Sequence, residues 1–154
     1  MGAGKSTVAR ALGKRLGWRV EDIDARIETR ERRLVSAIFS QDGEAYFRQA
    51  ERDVLAELLP IREVVVATGG GTFVDPDNRS LMLADGGVAW LDIPFQHVID
   101  RVPADGRRPL AADRGQLEQL FTRRQLSYRQ AHIRVDGSRP VDEVVERLLA
   151  WIGY

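Results

Sequence analysis

Apolar residues stand at four-residue spacing at Val8, Leu12 and Leu16, with Ala9 and Ala11 between them, so residues 6–16 are predicted to form an amphipathic helix. Gly17 ends it, and Trp18–Val20 reads as a short strand running on to Asp22 and Asp24. A charged helix is expected over 24–32, a short helical turn from Ser36 to Phe39, and a longer helix from Gly43 to Leu59. Phe47, Val54, Leu55, Leu58 and Leu59 make the inner face of that longer helix, and Pro60 stops it. The run Val64-Val65-Val66-Ala67 is apolar throughout and largely β-branched, which suits a strand buried on both faces of a parallel sheet. Pro76 sets up a helix over about 77–84, Val88–Leu91 a further strand, and Pro94 a helix reaching about Val102. Residues 103–114 have no periodic apolar pattern, and their prolines and glycine predict a mobile loop. The remainder reads helix (116–130), strand (132–135) and closing helix (140–152), the last with Val141, Val144, Val145, Leu148, Leu149 and Ile152 on one face.

Strands alternating with helices of this length predict a single α/β domain over 1–154, a parallel sheet with helices on both faces. Ligands of such sheets bind beyond the carboxyl ends of the strands, so functional residues should follow strands rather than precede them. Composition narrows the class. Hydrophobic residues at 44% and charged residues at 30% describe a globular chain, and no apolar run reaches the length of a membrane span. With 23 acidic and 23 basic residues there is no basic excess of the kind a general nucleic-acid surface carries. The absence of cysteine rules out disulfides and thiolate metal sites, and no basic segment leads into an apolar one at the N-terminus. A cytoplasmic protein is expected. Only Lys5 and Lys14 are lysines, so an isolated arginine carries little information here; only arginines in a recognisable setting do.

Candidate chemistry begins at Gly2-Ala3-Gly4-Lys5-Ser6-Thr7, which supplies the end of the phosphate-loop pattern G-x-x-x-x-G-K-[ST]. The first glycine of that pattern would fall two residues before Met1. Backbone N–H groups and a helix N-terminus can wrap a phosphate chain, a lysine can reach its outer phosphates, and a serine hydroxyl can take Mg²⁺. The plainer alternative is a glycine turn capping a helix. Asp22 and Asp24, at a strand end, alternate to one side, where one carboxylate could serve a metal and the other a substrate hydroxyl; a helix N-cap is the alternative. Arg48 could pair with Glu51 three residues on and lie on a solvated helix face. Thr68-Gly69-Gly70-Gly71 follows a buried strand with more glycine than a simple turn requires. Arg108 lies in the expected mobile loop, where an arginine could close on a transferring phosphate. Arg129 and Arg139 are ambiguous alone, and His97 and His132, one expected at the surface and one in a strand, have no metal-ligand spacing.

In order and spacing, Met1–Thr7 (MGAGKST), Asp22–Glu28 (DIDARIE), Asp42–Glu51 (DGEAYFRQAE), Thr68–Gly71 (TGGG), Arg108–Leu110 (RPL), Tyr128–Arg129 and Val135–Pro140 (VDGSRP) together resemble the shikimate kinases. The resemblance implies a three-layer P-loop kinase fold with a parallel sheet of order 2-3-1-4-5, usually monomeric, that moves the γ-phosphate of ATP to the 3-hydroxyl of shikimate. It implies that Gly2, Ala3, Gly4, Lys5, Ser6 and Thr7 bind the ATP phosphates, and that Ser6 and, through water, Asp22 hold Mg²⁺. Asp24 would orient or deprotonate the attacking hydroxyl, and Arg48 and Arg129 would clamp the shikimate carboxylate. Gly69, Gly70 and Gly71 would contact substrate, Arg108 would belong to a lid over 103–114, and Arg139 would lie near the adenine. Shikimate and ATP are the expected partners, with neither nucleic acid nor membrane. On this order the strand before the loop is the central one, so the chain is expected to be N-terminally truncated, with Met1 an internal methionine of the loop. A gluconate kinase-like enzyme and a non-catalytic, degenerate kinase that binds a metabolite or partner are the competing readings.

Overall fold

The computed structural model describes residues 4–101 and 114–154. Its elements are α1 (Lys5–Leu16), β1 (Arg19–Asp22), α2 (Ile23–Glu31), α3 (Val35–Leu58), β2 (Val64–Ala67), α4 (Pro76–Asp85), β3 (Ala89–Asp92), α5 (Phe95–Arg101), α6 (Arg114–Tyr128), β4 (Ile133–Asp136) and α7 (Val141–Ile152). No helix among the described residues is long and apolar enough to cross a membrane.

The strands form two parallel pairs. In one, Arg19 to Asp22 lie opposite Val64 to Ala67; in the other, Ala89 to Asp92 lie opposite Ile133 to Asp136. Successive strand side chains point to opposite faces, and β2 shows what covers each. Val65 packs against the cluster formed by Val8 and Leu12 of α1 with Val144, Val145, Leu148 and Leu149 of α7. Val66 packs against Ile23 and Ile27 of α2 with Ile38, Phe47, Val54, Leu55 and Leu58 of α3. Adjacent residues of one strand thus reach different helical layers, which makes the architecture α/β/α. A third cluster joins Ile93, Val98 of α5 and Leu117 of α6.

Local sequence explains the close packing. Gly4 and Gly17 bracket α1 in the left-handed region at φ 76° and 69°, where glycine carries no Cβ penalty. Inside the helix, a Cβ on Gly13 would sit 2.2 Å from Val20 Cγ2, so glycine there lets α1 lie against β1. The helical turn at 36–39 and the helix from Gly43 are one element interrupted at Gly43, whose φ of 85° is non-helical. His132 precedes β4 by one residue; its Nδ1 accepts from the Val88 N–H at 3.0 Å, and its ring stacks on Trp151. His97 is half-buried rather than at the surface, and its Nδ1 is fully buried.

The expectation that β2 is buried on both sides holds only in part. Val64, Val65 and Val66 are half-buried and Ala67 alone is buried. The helices cover both faces, but the edge of β2 away from β1 opens on a groove of about 700 Å³ that is also lined by Ala89, Trp90 and Leu91 of β3.

Candidate active site

Parallel pairing decides what meets at the strand ends. Asp22, the last residue of β1, is opposite Ala67, the last of β2. The two following segments, Ile23–Asp24 and Thr68–Gly71, therefore leave the sheet side by side. The two aspartates do not share a strand face as alternation predicted. The chain turns into α2 at Ile23, and Asp22 caps it by accepting the Ala25 N–H at 3.1 Å, which puts Asp24 in the first helical turn.

Asp22 has a second partner. The Ser6 hydroxyl donates to its other carboxylate oxygen at 2.6 Å, tying α1 to α2. Gly4 is the N-cap of α1 and supplies no side chain to cap its first turn. Lys5 is half-buried beside them and lines the 700 Å³ groove together with Thr68, Gly69, Gly70 and Tyr128. Thr7 is exposed on the same turn.

The glycine run is pressed from two sides. A Cβ on Gly69 would lie 3.0 Å from Asp24 Oδ1, and a Cβ on Gly71 would lie 2.4 Å from the Arg48 guanidinium. Glycine at both positions lets these side chains come close to the backbone. Arg48 is held in turn by Glu51, to which it donates at 3.1 and 3.2 Å, and by Glu44 at 3.4 Å. Glu51 is 1% exposed and also accepts from the Thr72 hydroxyl at 2.9 Å. Asn78 Nδ2 donates to the Thr72 carbonyl at 3.2 Å, fixing the far end of the run. On the other flank the Tyr128 hydroxyl donates to the Gly70 carbonyl at 2.5 Å, with the Arg124 guanidinium acting on it from one helical turn away. Burial raises the Tyr128 hydroxyl pKa, against the pull of Arg124. Burial likewise lowers the Arg124 pKa, and the cation of Arg48 adds to that; a guanidinium nonetheless stays charged.

Ser6 thus contacts Asp22, and Asp24 and Arg48 lie against Gly69 and Gly71; the two groups neighbour one another because Asp22 and Ala67 end paired strands. Arg129 is exposed, one residue beyond Tyr128. Arg139 follows β4 and pairs at the surface with Asp136 at 3.8 Å and Glu143 at 3.9 Å, in contact with none of that group. Gly2, Ala3, Arg108 and the expected lid at 103–114, apart from Arg114, lie outside the described residues. Three members of the network were not singled out from sequence. Glu51 was read as the partner of Arg48 on a solvated face, and its burial has no sequence mark. Thr72 directly follows the glycine run, and Arg124 stands one helical turn before Tyr128, the spacing at which helical side chains meet.

A sequence model of the family described as shikimate kinase matches residues 1–153. A shikimate kinase of Persephonella marina is 40% identical over 96% of this chain and 94% of its own length. One from a Sulfurihydrogenibium species is 38% identical over 99% and 93%. Among solved structures, the shikimate kinase of Acinetobacter baumannii in complex with shikimate superposes with a TM-score of 0.94 at 33% identity, covering 99% of this chain and 88% of that one. The shikimate kinase of Aquifex aeolicus gives 0.90 at 35% identity, over 99% and 91%. The chain belongs to the shikimate kinase family.

Proposed function

We propose that this chain transfers the γ-phosphate of ATP to the 3-hydroxyl of shikimate, giving shikimate 3-phosphate on the route to chorismate and the aromatic amino acids. The observation that carries the assignment is the contact of Asp24 and Arg48 with opposite ends of one glycine run, beside the Ser6–Asp22 pair. A carboxylate and a guanidinium held apart across a small loop can grip a molecule that has hydroxyls at one end and a carboxylate at the other. Asp24 orients the attacking hydroxyl and accepts its proton. Arg48, braced by Glu51, takes the substrate carboxylate, with Arg129 as the second arm. Gly69, Gly70 and Gly71 give the substrate a close backbone approach.

The phosphates of ATP lie on Gly2–Thr7, with Lys5 on the outer phosphates and the positive end of α1 behind them. Ser6 and Asp22 offer a hydroxyl and a carboxylate oxygen 2.6 Å apart, hard donors of the type Mg²⁺ takes, which usually keeps water and phosphate as its other ligands. When bound, Mg²⁺ neutralises charge that develops on the transferring group. Arg108 would act from the lid and Arg139 beside the adenine. Phosphoryl transfer asks mainly for positioning and charge neutralisation, which this residue set supplies. We read β1 to β4 as the second to fifth strands of a sheet of order 2-3-1-4-5 in a single domain that works as a monomer. The groove lined by Val64–Ala67 of β2 and Ala89–Asp92 of β3, two strands that are not paired with each other, supports that order.

A phosphoryl-transfer assay with ATP, Mg²⁺ and a panel of shikimate, gluconate and nucleoside monophosphates tests the assignment. Turnover of shikimate alone is expected; turnover of gluconate in its place, or of none, overturns it. In the same assay Arg48→Ala is expected to raise the shikimate KM by roughly 10- to 100-fold with a smaller change in kcat. Unchanged shikimate affinity would remove Arg48 from the carboxylate site.

A further inference from the structure

The two segments of α3 meet at Gly43, where φ 85° and ψ 173° interrupt the helix. Across such a break the hydrogen-bond ladder does not carry the direction of one segment into the next, and glycine itself fixes no angle. Side chains must do so. On the buried side the Phe39 ring lies 4.9 Å from that of Phe47. On the outer side one guanidinium reaches both segments. Arg33 donates to Gln41 at 2.7 Å and pairs with Asp42 at 2.5 Å, both in the last turn before the break. It also lies over the ring of Tyr46, 5.6 Å from its centroid, in the first turn after the break. Glu31, at the end of α2, completes the clasp: it accepts from Arg33 at 3.2 Å and from the Tyr46 hydroxyl at 2.9 and 3.0 Å. The turn that brings Arg33 there is made by Arg32, which closes α2 in the left-handed region at φ 55°, a conformation disfavoured for a residue with a Cβ. The Arg33 and Glu31 side chains are only 21% and 17% exposed, so water competes less for this pair than for an open surface pair.

The segment after the break carries the site residues. Glu44 stands next to Gly43, Arg48 lies one turn further on and pairs with it at 3.4 Å, and Glu51 follows on the next turn. Arg48 is so close to the glycine run that a Cβ on Gly71 would be 2.4 Å from it, so a small rotation of this segment alters the contact. We infer that Arg33 is a positioning residue for Arg48: by holding both sides of the break at Gly43, it sets the angle at which α3 presents the Arg48 guanidinium to the glycine run. Arg33 acts through α3 and does not itself touch the substrate. A planar fork suits the task, since its two ends bond Gln41 and Asp42 while its face rests on Tyr46. The consequence for shikimate rests on the functional reading above; the holding of the break does not.

The test is a double-mutant cycle. KM and kcat with shikimate and ATP are measured for the full chain, Arg33→Met, Arg48→Ala and the double variant. Arg30→Met serves as a control, because it breaks another pair between α2 and α3, to Glu57 at 2.6 Å, near the far end of α3. Arg33→Met should raise the shikimate KM roughly 5- to 10-fold and leave kcat and the KM of ATP within about twofold. On the Arg48→Ala background it should add less than about twofold, because the residue it positions is gone. Arg33→Lys, which keeps the charge but not the fork, should fall between the parent and the methionine variant. Arg30→Met should change neither KM. Equal losses on both backgrounds, or an unchanged shikimate KM in Arg33→Met, would make Arg33 a surface residue and overturn the inference. If the methionine variant does not fold, the cycle is run with Arg33→Lys and read in the same way. Hydrogen exchange needs no substrate: the amides of residues 44–48 should exchange about tenfold faster in Arg33→Met than in Arg30→Met, and equal rates would overturn the holding of the break. Failure of the unmodified protein to phosphorylate shikimate is a separate result, which overturns the functional reading and leaves hydrogen exchange to judge the clasp.

Discussion

The two strand pairs are alike in length, direction and hand-over to helices, yet their carboxyl ends are chemically opposite. Beyond β1 and β2 the polar groups are buried or half-buried and shared. Asp22 serves Ser6 and the α2 N-terminus, and Glu51 serves Arg48 and Thr72. Beyond β3 and β4 they are exposed and paired off. Arg134, with a side chain 69% exposed, pairs with Asp92, which is itself 17% exposed, while Arg139 and Asp136 are 65% and 60% exposed. Exposed pairs gain little because water competes for both partners. Buried groups that share partners are fixed in direction, and removing one leaves the others desolvated and unmatched. Among the described residues, the first strand end holds the more firmly fixed polar groups.

The comparison breaks most sharply at Lys5. If the β1–β2 end with the start of α1 forms the reacting centre, Lys5→Ala should abolish measurable turnover, a loss of about 10³-fold or more, with folding intact by circular dichroism. Retention of more than a tenth of the rate would mean that the transferring phosphate lies elsewhere.

Next in size is Glu51→Gln. It leaves Arg48 and Arg124 without their buried counter-charge, so it should destabilise the fold by about 3 kcal/mol, seen as a drop of roughly 10 °C in melting temperature. A shift no larger than that of a surface glutamate would show that the network is not coupled, and the contrast between the two ends would shrink to one of burial alone.

How far the sequence reaches can be judged on these same residues. The run Val64–Ala67 and the glycines after it mark a strand and its end, because β-branched continuity and excess glycine each have a direct backbone cause. The helix break at Gly43 was legible for the same reason. Asp22 and Asp24 were expected on one side of a strand end because a strand that ends by capping a helix looks, residue by residue, like a strand that continues. The burial of Glu51 and Arg124 is invisible in sequence. It depends on Thr72 and Tyr128 arriving from segments 21 residues and 77 residues away from Glu51, and nothing local records that. The open edge of β2 was likewise hidden, since an apolar run states what it can pack against and not whether a neighbour is there.

A smaller effect separates the halves by pH. Asp75 caps α4 just after the glycine run, and the Asn78 N–H, with that of Asp77 and the Arg52 cation, holds its carboxyl below the ordinary range. The depressed folded-state value means that its contribution is complete above the ordinary carboxylate pKa of about 4 and is lost as pH falls through the lower folded value. Asp75→Ala should therefore cost about 1 kcal/mol at pH 7, and the gap to the parent protein should narrow in denaturant titrations below about pH 4. A gap independent of pH would assign the cost to packing.

The smallest effect belongs to the β3–β4 end. Arg134 donates to Asp92 and lies over the Trp90 ring at 5.1 Å from its centroid, so it has two partners. Both contacts are made by a side chain mostly in water, where an ion pair and a cation–π contact each contribute no more than about 1 kcal/mol. Arg134→Ala should lower stability by less than about 1 kcal/mol in urea, with the difference shrinking in high salt, and should leave KM and kcat unchanged. A larger loss that resists salt would mean that Asp92 is buried enough to need its partner. The β3–β4 end would then be built as the other is, and the placing of the chemistry would have to rest on the glycine run and Lys5 rather than on the burial of polar groups.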